Sequence, residues 1–335
     1  MAESTAISRR PTSGNLTEAA RDYGIYFVFL VVFFGMCLVE PKFRTEGNLV
    51  NLLRQNAVIG IMACGMTFAI LLGGLDLSVG AVAAASSVVC AKVILYLAGD
   101  GSAQQWQIVA GVVAGILIGL LVGLINGLLI AWVGVNPFVS TLGTMTILRG
   151  LLYVWTNATP LFGVPFSFTR LGLGSTFRIP NPFWVFLGVA IVTTILLSRM
   201  RFGHYVYAIG GNAVAAARMG IDVRRVRLLV YVITSVCAAI AGIILVGQTA
   251  TGQPAGALGY ELTAIAAVIV GGASLSGGQG RMTGTIVGVF LLGVVSNALN
   301  LFGVSPFWQP VATGVILVVA VAVDSLAAKS TRNQA

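Results

Sequence analysis

Charged residues vanish from five long stretches of the chain: Gln55–Leu75, Gly101–Leu148, Ile179–Ser198, Leu228–Tyr260 and Met282–Val323. A bilayer core about 30 Å thick is crossed by roughly 20 apolar helical residues, so the longest of these stretches must each hold about two crossings. On that scale helices fall at Tyr23–Val39, Leu52–Leu72, Leu77–Ala98, Gln107–Val133, Pro137–Thr156, Phe183–Ser198, Leu228–Gly247, Leu258–Gly271, Gly280–Phe302 and Pro306–Leu326. The pattern predicts an all-α membrane protein, a polytopic bundle of about ten transmembrane helices. Its parts are a cytoplasmic tail over 1–21, a single transmembrane domain over 22–327 with a cytoplasmic loop at 199–227, and a second cytoplasmic tail over 328–335.

Composition agrees with a lipid environment. Of 335 residues, 57% are hydrophobic and 9% are charged, against roughly 25% charged in a soluble globular chain. The net charge of +9 follows the same logic. With the amino terminus inside, the inner segments carry Arg9, Arg10, Arg21, Arg199, Arg201, Arg218, Arg224, Arg225, Arg227, Arg281, Lys329 and Arg332, and the outer ones only Lys42, Arg44, Arg54, Arg170 and Arg178. Basic residues concentrated on the cytoplasmic side are the usual mark of membrane topology, so the charge gives no reason to expect nucleic acid as a partner. Ser8-Arg9-Arg10 imitates a twin-arginine export signal, but the apolar run begins only at Tyr23 and no cleavage site follows it. Cys37, Cys64, Cys90 and Cys237 lie in apolar spans without metal-ligand spacing and read as small buried hydrophobes. No metal or other cofactor is implied.

Leu275-Ser276-Gly277-Gly278-Gln279 spells the LSGGQ string of ATP-binding cassettes. A cassette also needs Gly-x-x-x-x-Gly-Lys-Ser/Thr, whose amides cradle phosphates and whose lysine reaches the β and γ oxygens. The three lysines, Lys42, Lys92 and Lys329, have no glycine before them. The string is therefore a coincidence of letters, and its physical content lies elsewhere: glycines end one helix and serines can start the next. The same device occurs earlier, since Gly73-Gly74-Leu75-Asp76-Leu77-Ser78-Val79-Gly80 matches Gly271-Gly272-Ala273-Ser274-Leu275-Ser276-Gly277-Gly278 at five of eight positions. Gly73, Gly74, Asp76 and Ser78, and again Gly271, Gly272, Ser274 and Ser276, are expected to break helices, in one of two halves of a parallel repeat or through glycine-rich composition alone. A second echo, Gly134-Val135-Asn136-Pro137-Phe138 against Gly303-Val304-Ser305-Pro306-Phe307, falls at opposite ends of the predicted bundle.

The inner loop RMRFGHYVYAIGGNAVAAARMGIDVRRVR punctuates itself. Gly210 and Gly211 break the chain, Asn212 is a favoured N-cap, Ala213–Met219 form two turns of helix, and Gly220 can end them in a left-handed cap. Asp222 can cap the helix that follows. A free two-turn helix is unstable in water, so this one needs a partner. Its alanine-rich surface allows close approach and Arg218 supplies a directional contact, which suits docking into a groove of another subunit.

The motifs GGLDLSVG, AIGGNAVAAARMGIDVRRVR and GGASLSGGQG, the last followed by GTIVGVFLLGVVSNAL, stand in an order that closely resembles the membrane permeases of bacterial ABC importers for ribose, xylose, arabinose and galactose. The resemblance runs over about residues 20 to 326. It implies a permease dimer, a separate ATPase subunit carrying two cassettes, a periplasmic sugar-binding protein, and a place in the bacterial inner membrane with both termini cytoplasmic. It also implies that the loop around Gly210, Gly211, Asn212, Ala216, Arg218 and Gly220 couples transport to that ATPase. The chain itself is then no enzyme.

A sugar path needs uncharged donors and acceptors. Asn126, Ser296, Asn297 and Asn300 are the candidates, each also able to serve as an ordinary helix-to-helix hydrogen bond. Asp76 is expected to cap a loop and Glu261 to start a span near the outer surface; Lys92 is expected to snorkel, and Arg149 to want a carbonyl or acid partner. His204 has no catalytic companion. An ion-coupled secondary transporter would want buried acids, and a passive pore would leave the capped helix without a role. A branched-chain amino acid, the substrate of related permeases, would want a matching acid and base inside the spans.

Overall fold

The computed structural model describes residues 14–99 and 104–332; the twin-arginine motif, most of the first tail and residues 333–335 lie outside them. Helices follow in the order α1 (Gly14–Val39), α2 (Glu46–Leu71), α3 (Val79–Ala98), α4 (Gln105–Leu128), α5 (Pro137–Thr156), α6 (Phe166–Leu173), α7 (Asn181–Ser198), α8 (Arg201–Arg218), α9 (Val223–Thr249), α10 (Tyr260–Val270), α11 (Met282–Leu301) and α12 (Trp308–Arg332). A π-helical turn, Leu129–Val133, extends α4. Among the described residues seven helices are long and apolar enough to cross a membrane, and Gly24–Val39, Tyr260–Val270 and Trp308–Ala322 are shorter apolar stretches. The chain is a polytopic all-α bundle, as its charge pattern predicts.

Helix α2 runs through the centre and is buried almost without interruption from Asn56 to Leu71. It packs against α9, α7, α11 and α10. Helix α4 shows how the bundle is drawn together. Gly111, Gly115, Gly119, Gly123 and Gly127 recur every fourth residue and form its buried face, while Val113, Leu117 and Leu121 point outward. A methyl on Gly119 would stand 2.7 Å from the Ser235 carbonyl oxygen, and one on Gly123 2.7 Å from the Val232 Cα. Only a glycine stripe lets two helix backbones approach that closely, and van der Waals packing of this kind is what binds helices in lipid, where burial of apolar surface drives little.

Two expectations need correction. Leu258–Gly271 reads as a full span, yet α10 holds 11 residues, about 16 Å at 1.5 Å per residue and half of what a bilayer core requires. Residues 250–259 instead fold back into the bundle before α10 starts, with Ala250, Ala257 and Gly259 all at positive φ. Nor does the inner loop break at Gly210 and Gly211: α8 runs as helix from Arg201 through both glycines and leaves helical geometry only at Asn212, with Val206 and Ile209 buried and the Phe202 ring 6.0 Å from that of Phe68. At the other end of the bundle the connection from Asn157 to Pro180 holds α6 and a two-residue hairpin, β1 (Ser175–Thr176) paired with β2 (Ile179–Pro180). Its turn residues Phe177 and Arg178 have φ of 53° and 63°, the left-handed pair that matches strand twist in a tight hairpin.

The repeated glycine motifs both end helices, one residue out of step with their sequence alignment. Gly73 (φ 82°) donates to the Ile70 carbonyl and Gly74 to Ala69; Gly272 (φ 90°) donates to Ile269 and Ala273 to Val268. The side-chain turns keep the sequence register, Ser78 N–H to Asp76 Oδ1 at 2.9 Å and Ser276 N–H to Ser274 Oγ at 3.3 Å. The GVNPF and GVSPF echoes stand at opposite ends: Pro137 lies against Gly74 at the α8 end, and Pro306 lines a cavity at the other.

Candidate functional site

At the α8 end three glycine pairs distant in sequence meet. Gly278 donates its amide to the Leu71 carbonyl at 2.8 Å. A methyl on Gly210 would stand 2.6 Å from Gly278 N and closer still to the Leu71 oxygen, and one on Gly277 2.9 Å from both Gly210 O and Gly73 N. Tyr207 Oη donates to Gly280 O at 2.8 Å. The LSGGQ letters thus belong to a backbone junction that seats α8 on the ends of α2 and α10. From that seat the chain turns outward. Asn212 leaves helical geometry and its Oδ1 accepts the Ala215 N–H at 2.9 Å. One further helical segment follows to Arg218, and Gly220, at φ 83°, ends it. Asp222 Oδ1 then caps α9 at Arg225 N, while the Arg225–Asp222 ion pair is mostly exposed and adds little. Ala216 faces inward; Val214 (64% exposed), Met219 (83%) and Arg218 face solvent. His204 is also exposed, its Nδ1 3.0 Å from the Met200 carbonyl.

Behind the junction lies a buried polar chain. Ser78 donates both N–H and Oγ–H to Asp76 Oδ1; Asn126 Nδ2 donates to Ser78 Oγ at 3.0 Å, and Thr144 Oγ1 to Asn126 Oδ1 at 2.7 Å. Asn126 is fully buried and both ends of its amide are engaged, so it ties α3, α4 and α5 together. Asp76 sits in the connection between α2 and α3 but is fully buried. Burial pushes its carboxyl up to about 6, against the lowering effect of the two Ser78 bonds.

The opposite half of the bundle holds a cavity of about 410 Å³ between α2, α10, α11 and α12. Its polar lining comes from Gln55, Asn56, Gln248, Tyr260, Thr263, Ser296, Asn297, Gln309 and Thr313, without a charged side chain, and Leu52, Leu292 and Leu317 supply apolar surface. Of the sequence candidates, Ser296 and Asn297 line it. Asn297 exchanges two hydrogen bonds with Asn48, at 2.8 and 3.0 Å. Asn300 does not line it; it is exposed and accepts from Gln309 Nε2 at 2.8 Å. Sequence reasoning missed Gln55, Gln248 and Gln309, although amides at the edges of apolar runs were the available signal.

Two intramembrane cations find partners. Lys92 Nζ lies 3.9 Å from the centroid of the Trp155 ring. Arg149 Nη1 donates to the carbonyls of Pro254 (3.0 Å) and Gly256 (2.8 Å) in the folded-back segment. Glu261 does stand at the start of a helix. It is buried in the first turn of α10, its carboxylate packed against Gly80 at the start of α3. Among the described residues no group of His, Cys, Asp and Glu is arranged to hold a metal.

Residues 48–321 match the family described as the permease component of branched-chain amino acid transport systems. The chain is 42% identical over 303 residues to the ribose import permease RbsC of Bacillus subtilis, covering 90% of both proteins. It is 39% identical over 310 residues to the L-arabinose transport system permease AraH of Escherichia coli, covering 92% of both, and 37% identical over 308 residues to that organism's D-allose transport system permease AlsC, again 92% of both. No solved structure matches it. With a family match that runs from the first turn of α2 into α12 and takes in the capped helix, the glycine junction and the cavity alike, the chain belongs to this family of transport-system permease components.

Proposed function

We propose that the chain is the membrane-spanning permease of an ATP-driven importer for a neutral monosaccharide, seated in the bacterial inner membrane with both termini cytoplasmic. The observation that carries the substrate class is the cavity: every polar group on it is an uncharged amide, hydroxyl or phenol. Such a lining matches the hydroxyls of a sugar, and its volume accommodates one ring with water. A branched-chain amino acid, named in the family's description, brings an ammonium and a carboxylate whose desolvation nothing on this lining would offset. The relatives named for ribose, arabinose and allose support the same choice.

Transport is by alternating access, driven by a separate ATPase subunit. The exposed turn after Asn212, with Val214, Arg218 and Met219 outward and Gly220 closing it, is the part that enters the ATPase; Gly210 and Gly211 seat it, and Ala216 packs its inner side. Ser296 and Asn297 lie on the sugar's path. A periplasmic sugar-binding protein delivers the substrate, and a second copy of the permease completes the channel.

The test is native mass spectrometry of the tagged chain extracted from its own cells, followed by uptake with the recovered complex in vesicles. A permease dimer carrying an ATPase, with uptake that needs ATP and ignores ionophores, is the expected result. A chain that comes out alone and loses uptake to an ionophore at constant ATP would sink the reading.

A further inference from the structure

The segment between α9 and α10 is held in a conformation it would not choose for itself. Ala250 and Ala257 lie at φ 54° and Gly259 at φ 82°. Left-handed backbone at a residue with a Cβ is disfavoured and persists only where the surroundings impose it. Ala250 is fixed as the left-handed cap of α9 by its bond to the Val246 carbonyl; the stretch around Ala257 is held by one side chain. Arg149, half way along α5, donates to the carbonyls of Pro254 and Gly256 at 3.0 and 2.8 Å, satisfying acceptors that no helix engages. Buried Glu261, five residues on, adds electrostatic attraction to the guanidinium, and its Oε1 accepts the Gly259 N–H at 3.2 Å. The absence of a side chain at Gly80 lets that carboxylate lie against the first turn of α3, where the helix dipole favours negative charge. The segment gripped in this way leads directly into Leu258, Gly259, Tyr260 and Thr263, which form one wall of the cavity.

We propose that Arg149 is a positioning residue of the translocation path: through the Pro254 and Gly256 carbonyls it holds the first turn of α10 in place as the cavity wall, and so sets how the permease takes its substrate. The role in transport rests on the cavity being the path proposed above; the grip itself does not. A guanidinium suits the task because it stays charged and offers several donors in a fixed plane. The grip is also one a rearrangement of α5 can release without unfolding α10, whose first turn has its own cap in Glu261.

The experiment compares the wild type with Arg149→Met and Arg149→Lys, each assembled with its ATPase and binding protein. Hydrogen exchange is read over residues 250–262, and uptake is resolved into KM and maximal rate. In Arg149→Met exchange should quicken by about tenfold or more over 250–262, as expected for the loss of two charge-assisted hydrogen bonds, with α4 and α9 unchanged. The KM for uptake should rise with ATP turnover in the absence of sugar preserved. Arg149→Lys, which keeps a charged donor, should recover part of both effects. Should Arg149→Met fail to assemble, Arg149→Gln, which can still donate to one carbonyl, replaces it. Unchanged exchange over 250–262 overturns the grip. Quickened exchange with unchanged uptake kinetics overturns the role in transport. A wild-type complex that imports no monosaccharide, with the exchange difference intact, counts against the proposed function and leaves the grip supported.

Discussion

Gly278 gives its amide proton to the carbonyl of Leu71 across 2.8 Å, and that single bond joins the loop after α10 to the end of α2, with Gly210 of α8 pressed against both. Three chain segments share a space that has no room for a side chain. The surface presented by α8 is therefore referred rigidly to two helices, α2 and α10, that also wall the cavity at the other end of the bundle. Movement at one end has a short mechanical route to the other.

Gly210 and Gly211 should separate folding from coupling. A Cβ on Gly210 meets backbone atoms of Leu71 and Gly278, whereas one on Gly211 meets nothing within 4 Å. Gly210→Val should destabilise the permease by about 3 kcal/mol through overpacking and lower its yield and melting temperature in detergent. Gly211→Leu should melt with the wild type, yet lose most sugar-stimulated ATP hydrolysis in the assembled complex. Full coupling in Gly211→Leu would remove this surface from the ATPase contact.

The stripe on α4 gives a prediction about packing alone. Gly119→Val places methyls against Ala239 and the Ser235 carbonyl, and should cost about 1–3 kcal/mol. Gly143→Ala, on α5 where a methyl meets nothing within 4 Å, should be neutral or stabilising by roughly 0.5–1 kcal/mol, since alanine loses less backbone entropy than glycine in a helix. Thermal unfolding of the two variants side by side checks both signs.

How much of this was legible from the sequence depends on whether the signal was local. The ten apolar stretches, the cap at Asn212 and the left-handed stop at Gly220 are written in neighbouring residues, and each stands where its neighbours place it. Tertiary partners are not written that way. Nothing beside Asn126 in the chain shows that its amide engages Ser78 and Thr144. The shortness of α10 was hidden because Leu258–Gly271 is as apolar as a span, and only the Arg149 contact to Pro254 and Gly256 explains why the backbone before it can sit inside the bundle. The cavity draws its amides from four helices, so spacing along any one of them reveals at most Ser296 and Asn297.

Buried Asp76 gives the fold a pH dependence with a definite sign. Its carboxyl titrates near 6 in the folded protein against 3.8 as the ordinary value. Between those values the folded state holds a proton that the unfolded state has released, so stability falls as pH rises from about 4 to 6 and then levels off. Asp76→Asn keeps an oxygen for Ser78 but cannot titrate. The melting temperature of the wild type, relative to this variant, should therefore rise when the pH is lowered from 7 to 5. A gap between the two proteins that does not change with pH would show that Asp76 is not the titrating group.

Ser296 offers the sharpest test of where substrate passes. It lines the cavity on α11, one residue before Asn297, whose amide is already paired with Asn48. Asn297→Ala breaks that pair and leaves half-buried Asn48 with only its bond to the Phe43 carbonyl, at a cost of about 0.5–1.5 kcal/mol, so a fall in uptake there mixes stability with transport. Ser296→Trp avoids the ambiguity. It deletes a hydroxyl and fills part of a space of about 410 Å³ that already exists, which should spare the close packing of α2 against α9 at Gly65 and Thr234, away from the cavity lining. Assembly with the ATPase and hydrolysis without sugar should persist, while uptake disappears and added sugar-loaded binding protein no longer yields transport. Normal uptake by Ser296→Trp would move the path out of this cavity.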